Sequence, residues 1–133
     1  MSVEWIASIL QGAVQIGTIY LFATLGEIYA ERSGILNLGI EGMMIMGAAI
    51  SFLFTLAYGH LAAIIAALVI GMILGLILGV MAVSLRLNQV VVGLALTIFG
   101  TGMSGFLTHP TIRAGVLRTL NPHIPESLLA IQE

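Results

Sequence analysis

The chain has 133 residues and a mass of 14.0 kDa, with 59% hydrophobic residues, 8% charged residues and a mean hydropathy of +1.15. Soluble domains carry about 25% charged residues, so a water-facing globular fold is excluded. Four arginines without a lysine exclude a phosphate-neutralising nucleic-acid face, high hydropathy excludes disorder, and an integral membrane protein remains.

The chain starts Met1-Ser2-Val3-Glu4-Trp5 and lacks the basic n-region of a secretory signal, so no cleavage is expected. Stretches free of Asp, Glu, Lys and Arg then run from Trp5 to Gly26, Gly42 to Leu85 and Leu87 to Ile112. A helix needs about 20 apolar residues to cross the hydrocarbon core. The middle stretch, 44 residues long, is enough for two crossings, and Tyr58-Gly59-His60 is its natural turn. Four spans follow, at roughly 5–25, 42–58, 61–85 and 88–108. They are helices, because four segments cannot close a barrel and lipid offers the backbone no partners. The predicted class is an all-α integral membrane protein, with a broken or re-entrant segment before the second span.

That segment is the run Gly26 to Gly42, which holds four of the ten charged residues (Glu27, Glu31, Arg32, Glu41) and four glycines. Asn37 is suited to cap a following helix, which would set Glu41 in the first turn, where negative charge suits the helix dipole. The second span is short and is expected to recruit Ile35 to Ile40, drawing Gly39 and Glu41 toward the membrane. An acid at mid-membrane costs roughly 2.5–3.5 kcal/mol on insertion scales, so Glu41 would need a partner or a cavity. The stretch reads either as a solvated loop or as the interrupted helix with which transporters bind solutes.

The third span carries Ala63, Ala67, Gly71, Gly75 and Gly79 at i, i+4 spacing, a small-residue ridge on which a neighbouring helix can pack. Arg86-Leu87-Asn88-Gln89 joins the third span to the fourth, with Asn88 placed as N-cap and Gln89 in the first turn. The fourth span sets Thr97, Thr101, Ser104 and Thr108 on one face, with Gly93, Gly100 and Gly105 near it. These hydroxyls either bond back to their own helix or line a path for a polar solute. Residues 109–133 contain all three prolines and read as a polar extramembrane loop or tail, with at most a short helix near Glu126 to Ile131. Arg32 and Arg86 fall on one side and Arg113 and Arg118 on the other; the short Arg86 connection favours the cytoplasm for the first pair.

A chain without lysine has no P-loop, its three histidines lack metal-ligand spacing, and no serine sits in a GxSxG elbow, so no enzymatic activity, metal or bound cofactor is expected.

The string from Gly26 to Met44, GEIYAERSGILNLGIEGMM, resembles the signature of bacterial ABC-importer permeases of the simple-sugar and nucleoside branch, related to the branched-chain amino-acid and ribose permeases. A second string, Leu85 to Leu96, is similar to a second motif of that branch and follows in the expected order. The resemblance implies a multi-pass subunit of the bacterial cytoplasmic membrane and a translocation pathway built with a second permease subunit. Separate ATPase subunits would consume ATP, and an extracytoplasmic solute-binding protein would deliver the solute. It also raises the weight of Asn37, Glu41, Asn88 and Gln89, which with Gly39, Thr97 and Thr101 make up the candidate pathway residues. Permeases of this branch continue with several more spans, so the resemblance is to an N-terminal half, with a truncated remnant as the alternative reading. A self-standing four-span exporter is a weaker one, because the first span, Trp5 to Leu25, holds no acid for proton exchange.

Overall fold

The computed structural model describes residues 3–123 and 125. The described chain is helical, with α1 over Val3–Arg32, α2 over Ile40–Tyr58, α3 over His60–Gly79, α4 over Gln89–Thr108 and α5 over Pro110–Leu120. A π-helical turn, Val80–Ser84, extends α3. Among the described residues, four segments are long and apolar enough to cross a membrane: Val3–Arg32, Ile40–Tyr58, His60–Ser84 and Gln89–Thr108. At about 1.5 Å per residue the 19 residues of α2 span roughly 28 Å, close to the thickness of the hydrocarbon core.

Helix α1 continues past the expected end of the first span and carries Glu27, Glu31 and Arg32 in its last turns. It stops where Gly34 adopts φ +83°, a left-handed conformation that costs glycine nothing. There the Gly34 amide donates to the Glu31 carbonyl and the Ile35 amide to the Ala30 carbonyl, the paired bonds of a Schellman end. No residue of α1 is buried, and α1 makes no extended interface with another helix.

Helices α2 and α3 form an antiparallel hairpin joined by one residue, Gly59, at φ +88° and ψ −179°, a conformation essentially confined to glycine. The turn at Tyr58-Gly59-His60 therefore falls where the sequence places it. The π-turn after α3 is closed by a bond from the Leu85 amide to the Val80 carbonyl, with Arg86 left-handed at φ 52°. Asn88 then caps α4, its side chain accepting from the Val90 and Val91 amides.

The core lies between α2, α3 and α4. Met46, Leu74, Leu78, Val92 and Leu96 form one buried cluster, and Leu53, Ala57 and Leu117 form a second at the other end of α2. Helices α2 and α4 run parallel: Gly39 meets Gly93 at one end, and Leu107 packs on the Leu53 cluster at the other.

Two expectations change. The helix begins at Ile40, so residues 35–39 do not join the second span as helix. Residues 110–120, read as loop, form α5, with Pro110 at its first position, where the missing amide is no loss. Its apolar positions seat Leu117, fully buried, against α2. The Asn121 carboxamide donates to the Ala57 carbonyl at 2.8 Å and the Tyr58 hydroxyl donates to the Leu120 carbonyl, so α5 supplies partners at the open end of α2. The helix expected near Glu126 to Ile131 lies outside the described residues.

Candidate functional site

The segment 33–39 between α1 and α2 has no repeating backbone bonds of its own, so its amides and carbonyls need other partners. Side chains from two helices supply them. Gln89, the first residue of α4, accepts from the Leu36 amide at 2.7 Å and donates to the Gly34 carbonyl at 3.2 Å. Glu27 of α1 accepts from the Asn37 amide through Oε1 at 3.2 Å. The Thr97 hydroxyl of α4 lies 2.9 Å from the Leu38 carbonyl and 3.2 Å from the Gly93 carbonyl. Each such bond contributes about 1 kcal/mol net, so the segment is held as a strap across the start of α4 rather than left as a loop.

Glycine lets the strap and α2 approach α4 backbone to backbone. A Cβ on Gly93 would lie 2.9 Å from the Leu38 Cβ and 3.0 Å from its amide. One on Gly42 would lie 2.5 Å from the Leu96 carbonyl oxygen and the Thr97 Cα, and one on Gly100 would overlap the Gly42 carbonyl. This is small-residue packing of the membrane type.

The pathway candidates divide by what their polar atoms do. Asn88 is engaged in its cap, and Gln89 and Thr97 bind the strap. Gly39 is buried, and its Cβ position is already crowded by Leu96 and the Gly93 carbonyl. Thr101 donates to carbonyls of its own helix, at Thr97 and Ile98, and is exposed. Thr108 does the same toward Ser104 and Gly105. Asn37 does not cap α2: Gly39 is the N-cap, and Asn37 Oδ1 accepts from the Gly39 amide at 3.0 Å. Glu41 sits in the first turn of α2, as the dipole favours, and is exposed rather than buried. The structure thus brings Asn37, Gly39, Gln89 and Thr97 together at one end, with Glu41 beside the Gly42 contact.

The ridge on α3 sits differently. Ala63 is buried, but Gly71, Gly75 and Gly79 have open space where a side chain would be. Ala63, Ala67 and Gly71 face a groove of about 1230 Å³ between α1, α2 and α3, lined also by Phe22, Gly47 and Ser51. Among the described residues no three His, Asp or Glu side chains are close enough to hold a metal.

Three features carry weight that the spacing did not assign. Glu27 lies in the charged run yet binds the strap through its backbone. Gly42 and Gly100 meet across a sequence separation no local pattern reveals. Arg113, read as part of a polar tail, is buried, with its guanidinium 5.6 Å from the centre of the Phe52 ring.

Comparison with known proteins matches residues 8–124 to the family described as branched-chain amino acid transport system / permease component. A putative glucose ABC transporter permease of Haloferax volcanii is 39% identical over 101 residues, which cover 75% of this chain and 31% of that protein. A guanosine ABC transporter permease of Bacillus subtilis is 35% identical over 115 residues, covering 80% and 36%. A nucleoside ABC transporter permease of Lactococcus lactis is 29% identical over 97 residues, covering 68% and 31%. The chain thus spans about a third of the length of these relatives. No solved structure matches it.

Proposed function

The chain belongs to the branched-chain amino acid transport system / permease component family, and on that premise we propose that it forms part of the solute pathway of an ABC importer for a nucleoside or simple sugar. The observation that carries the reading is the match over residues 8–124 to a permease family, joined by relatives named for glucose, guanosine and nucleosides. Four apolar spans with few charges fit a multi-pass subunit, and the bacterial cytoplasmic membrane is the expected location. Energy comes from ATP hydrolysed on separate ATPase subunits, and affinity from an extracytoplasmic binding protein. The matched region is about a third of each relative's length, and the pathway to which it contributes is shared with further permease spans and a second permease subunit.

Within the chain, solute contact falls to side chains with polar capacity to spare. We assign it to Asn37, Glu41 and Thr101, while Gly39, Asn88, Gln89 and Thr97 frame them. The Asn37 and Glu41 groups sit at the end where Arg32 and Arg86 also lie, and the short Arg86 connection favours the cytoplasmic side for that end. The path meets a polar solute with single hydrogen bonds rather than a closed pocket, which suits passage over retention.

The test is initial-rate uptake of radiolabelled guanosine and radiolabelled glucose in cells carrying the chain with its transporter partners. Asn37→Ala and Glu41→Ala are expected to lower uptake of the transported solute about tenfold, the rate equivalent of one lost hydrogen bond at about 1.4 kcal/mol. Unchanged uptake removes that residue from the path. A stably inserted chain with no uptake of either probe supports the remnant reading instead.

A further inference from the structure

Helix α1 buries no residue and makes no extended interface, and beyond the backbone bonds of its Schellman end one side chain, Glu27, ties it to the strap. Glu27 Oε1 accepts the Asn37 amide at 3.2 Å, while Glu27 Oε2 is buried with no hydrogen-bond partner. A buried carboxylate oxygen without a donor is a cost. Helix packing does not offset it here, because α1 has so little. The return is local: Glu27 fixes the backbone of Asn37, and the Gly39 amide fixes its carboxamide oxygen at 3.0 Å. With amide and Oδ1 both held, the Asn37 carboxamide has a defined orientation. Its Nδ2 donates to no group among the described residues.

We infer that Glu27 is a positioning residue, which acts through Asn37 by holding the strap so that the Asn37 carboxamide nitrogen is presented as a hydrogen-bond donor to the transported solute. The inference rests on the reading of Asn37 as a pathway residue. The chemistry that would use such a donor is an uncharged polar solute with acceptor oxygens, such as a hydroxyl or a carbonyl. Glu27→Gln keeps a carbonyl oxygen where Oε1 stands and loses no hydrogen bond at the unpartnered Oε2. Glu27→Ala removes the acceptor and leaves the Asn37 amide unpaired. Glu27→Asp shortens the reach by one methylene.

Two measurements on the full chain test this. The first is amide hydrogen exchange at Asn37 in lipid nanodiscs. Glu27→Ala is expected to speed exchange at least about fivefold, the change one ordinary hydrogen bond accounts for, and Glu27→Gln to restore it. Unchanged exchange in Glu27→Ala overturns the proposal. The second is uptake of radiolabelled guanosine and glucose by Glu27→Ala, Asn37→Ala and the double variant at matched membrane levels. The single variants are each expected to lower the maximal rate about tenfold with an unchanged half-saturation concentration, and the double variant to fall no further than Asn37→Ala. Losses that multiply, or a loss in Asn37→Ala with none in Glu27→Ala, overturn the positioning role. If exchange responds as expected but Asn37→Ala transports normally, the pathway reading of Asn37 fails, and the positioning role falls with it while Glu27 remains a strap contact.

Discussion

Two regions of this molecule carry small residues at helical spacing, and they are used in opposite ways. On α2 and α4, Gly42 and Gly100 let two backbones touch, with no space for a methyl group at either. On α3, Gly71, Gly75 and Gly79 look into open space. The longer and more regular pattern is the open one. In a membrane protein a small residue shows where a close approach is permitted; a second backbone must arrive before it becomes a contact. Here it arrives from the strap and α2, because Gln89, Glu27 and Thr97 bind the strap in place.

The contrast can be broken most sharply at the crossing. Gly100→Ala or Gly42→Ala puts a Cβ against backbone that cannot rotate away, so helices α2 and α4 must separate. The expected loss is about 3 kcal/mol, read by steric-trap unfolding in bilayers. Gly59→Ala comes next. Its φ of +88° with ψ of −179° strains any other residue, so the α2–α3 hairpin loses about 2 kcal/mol in the same assay. Gln89→Ala removes both bonds to the strap and costs about 1–2 kcal/mol, with faster proteolysis near Leu36 as its local sign. The smallest effect is at Gly75→Ala, which meets nothing within 4 Å. It is expected to leave stability unchanged or raise it by up to about 1 kcal/mol through helix propensity. A large loss there would mean that the α3 ridge is covered after all.

Much of this was legible because it is local. The four spans follow from charge-free length, the hairpin from Gly59, and the α4 cap from Asn88. The return bonds of Thr101 and Thr108 to their own helix follow from hydroxyl chemistry. What stayed hidden is long-range or two-valued. Pro110 reads as a breaker and also as a helix start, and only the seat of Leu117 on Leu53 and Ala57 decides for α5. Asn37 could cap α2, but a turn through Gly39 takes its oxygen first. Gln89 and Glu27 were visible as polar residues near a membrane end, but nothing in their spacing shows that they bind backbone in segment 33–39. The Gly42–Gly100 contact joins helices separated by the whole of α3.

The central claim is that segment 33–39 is a fixed strap on α4 rather than a loop between two spans. Exchange of the Leu36 amide in lipid nanodiscs tests it most directly, because that amide donates to Gln89 and not to its own segment. The account predicts exchange as slow as in the α2 amides, and fast exchange in Gln89→Ala. Fast exchange at Leu36 in the unaltered chain would contradict it.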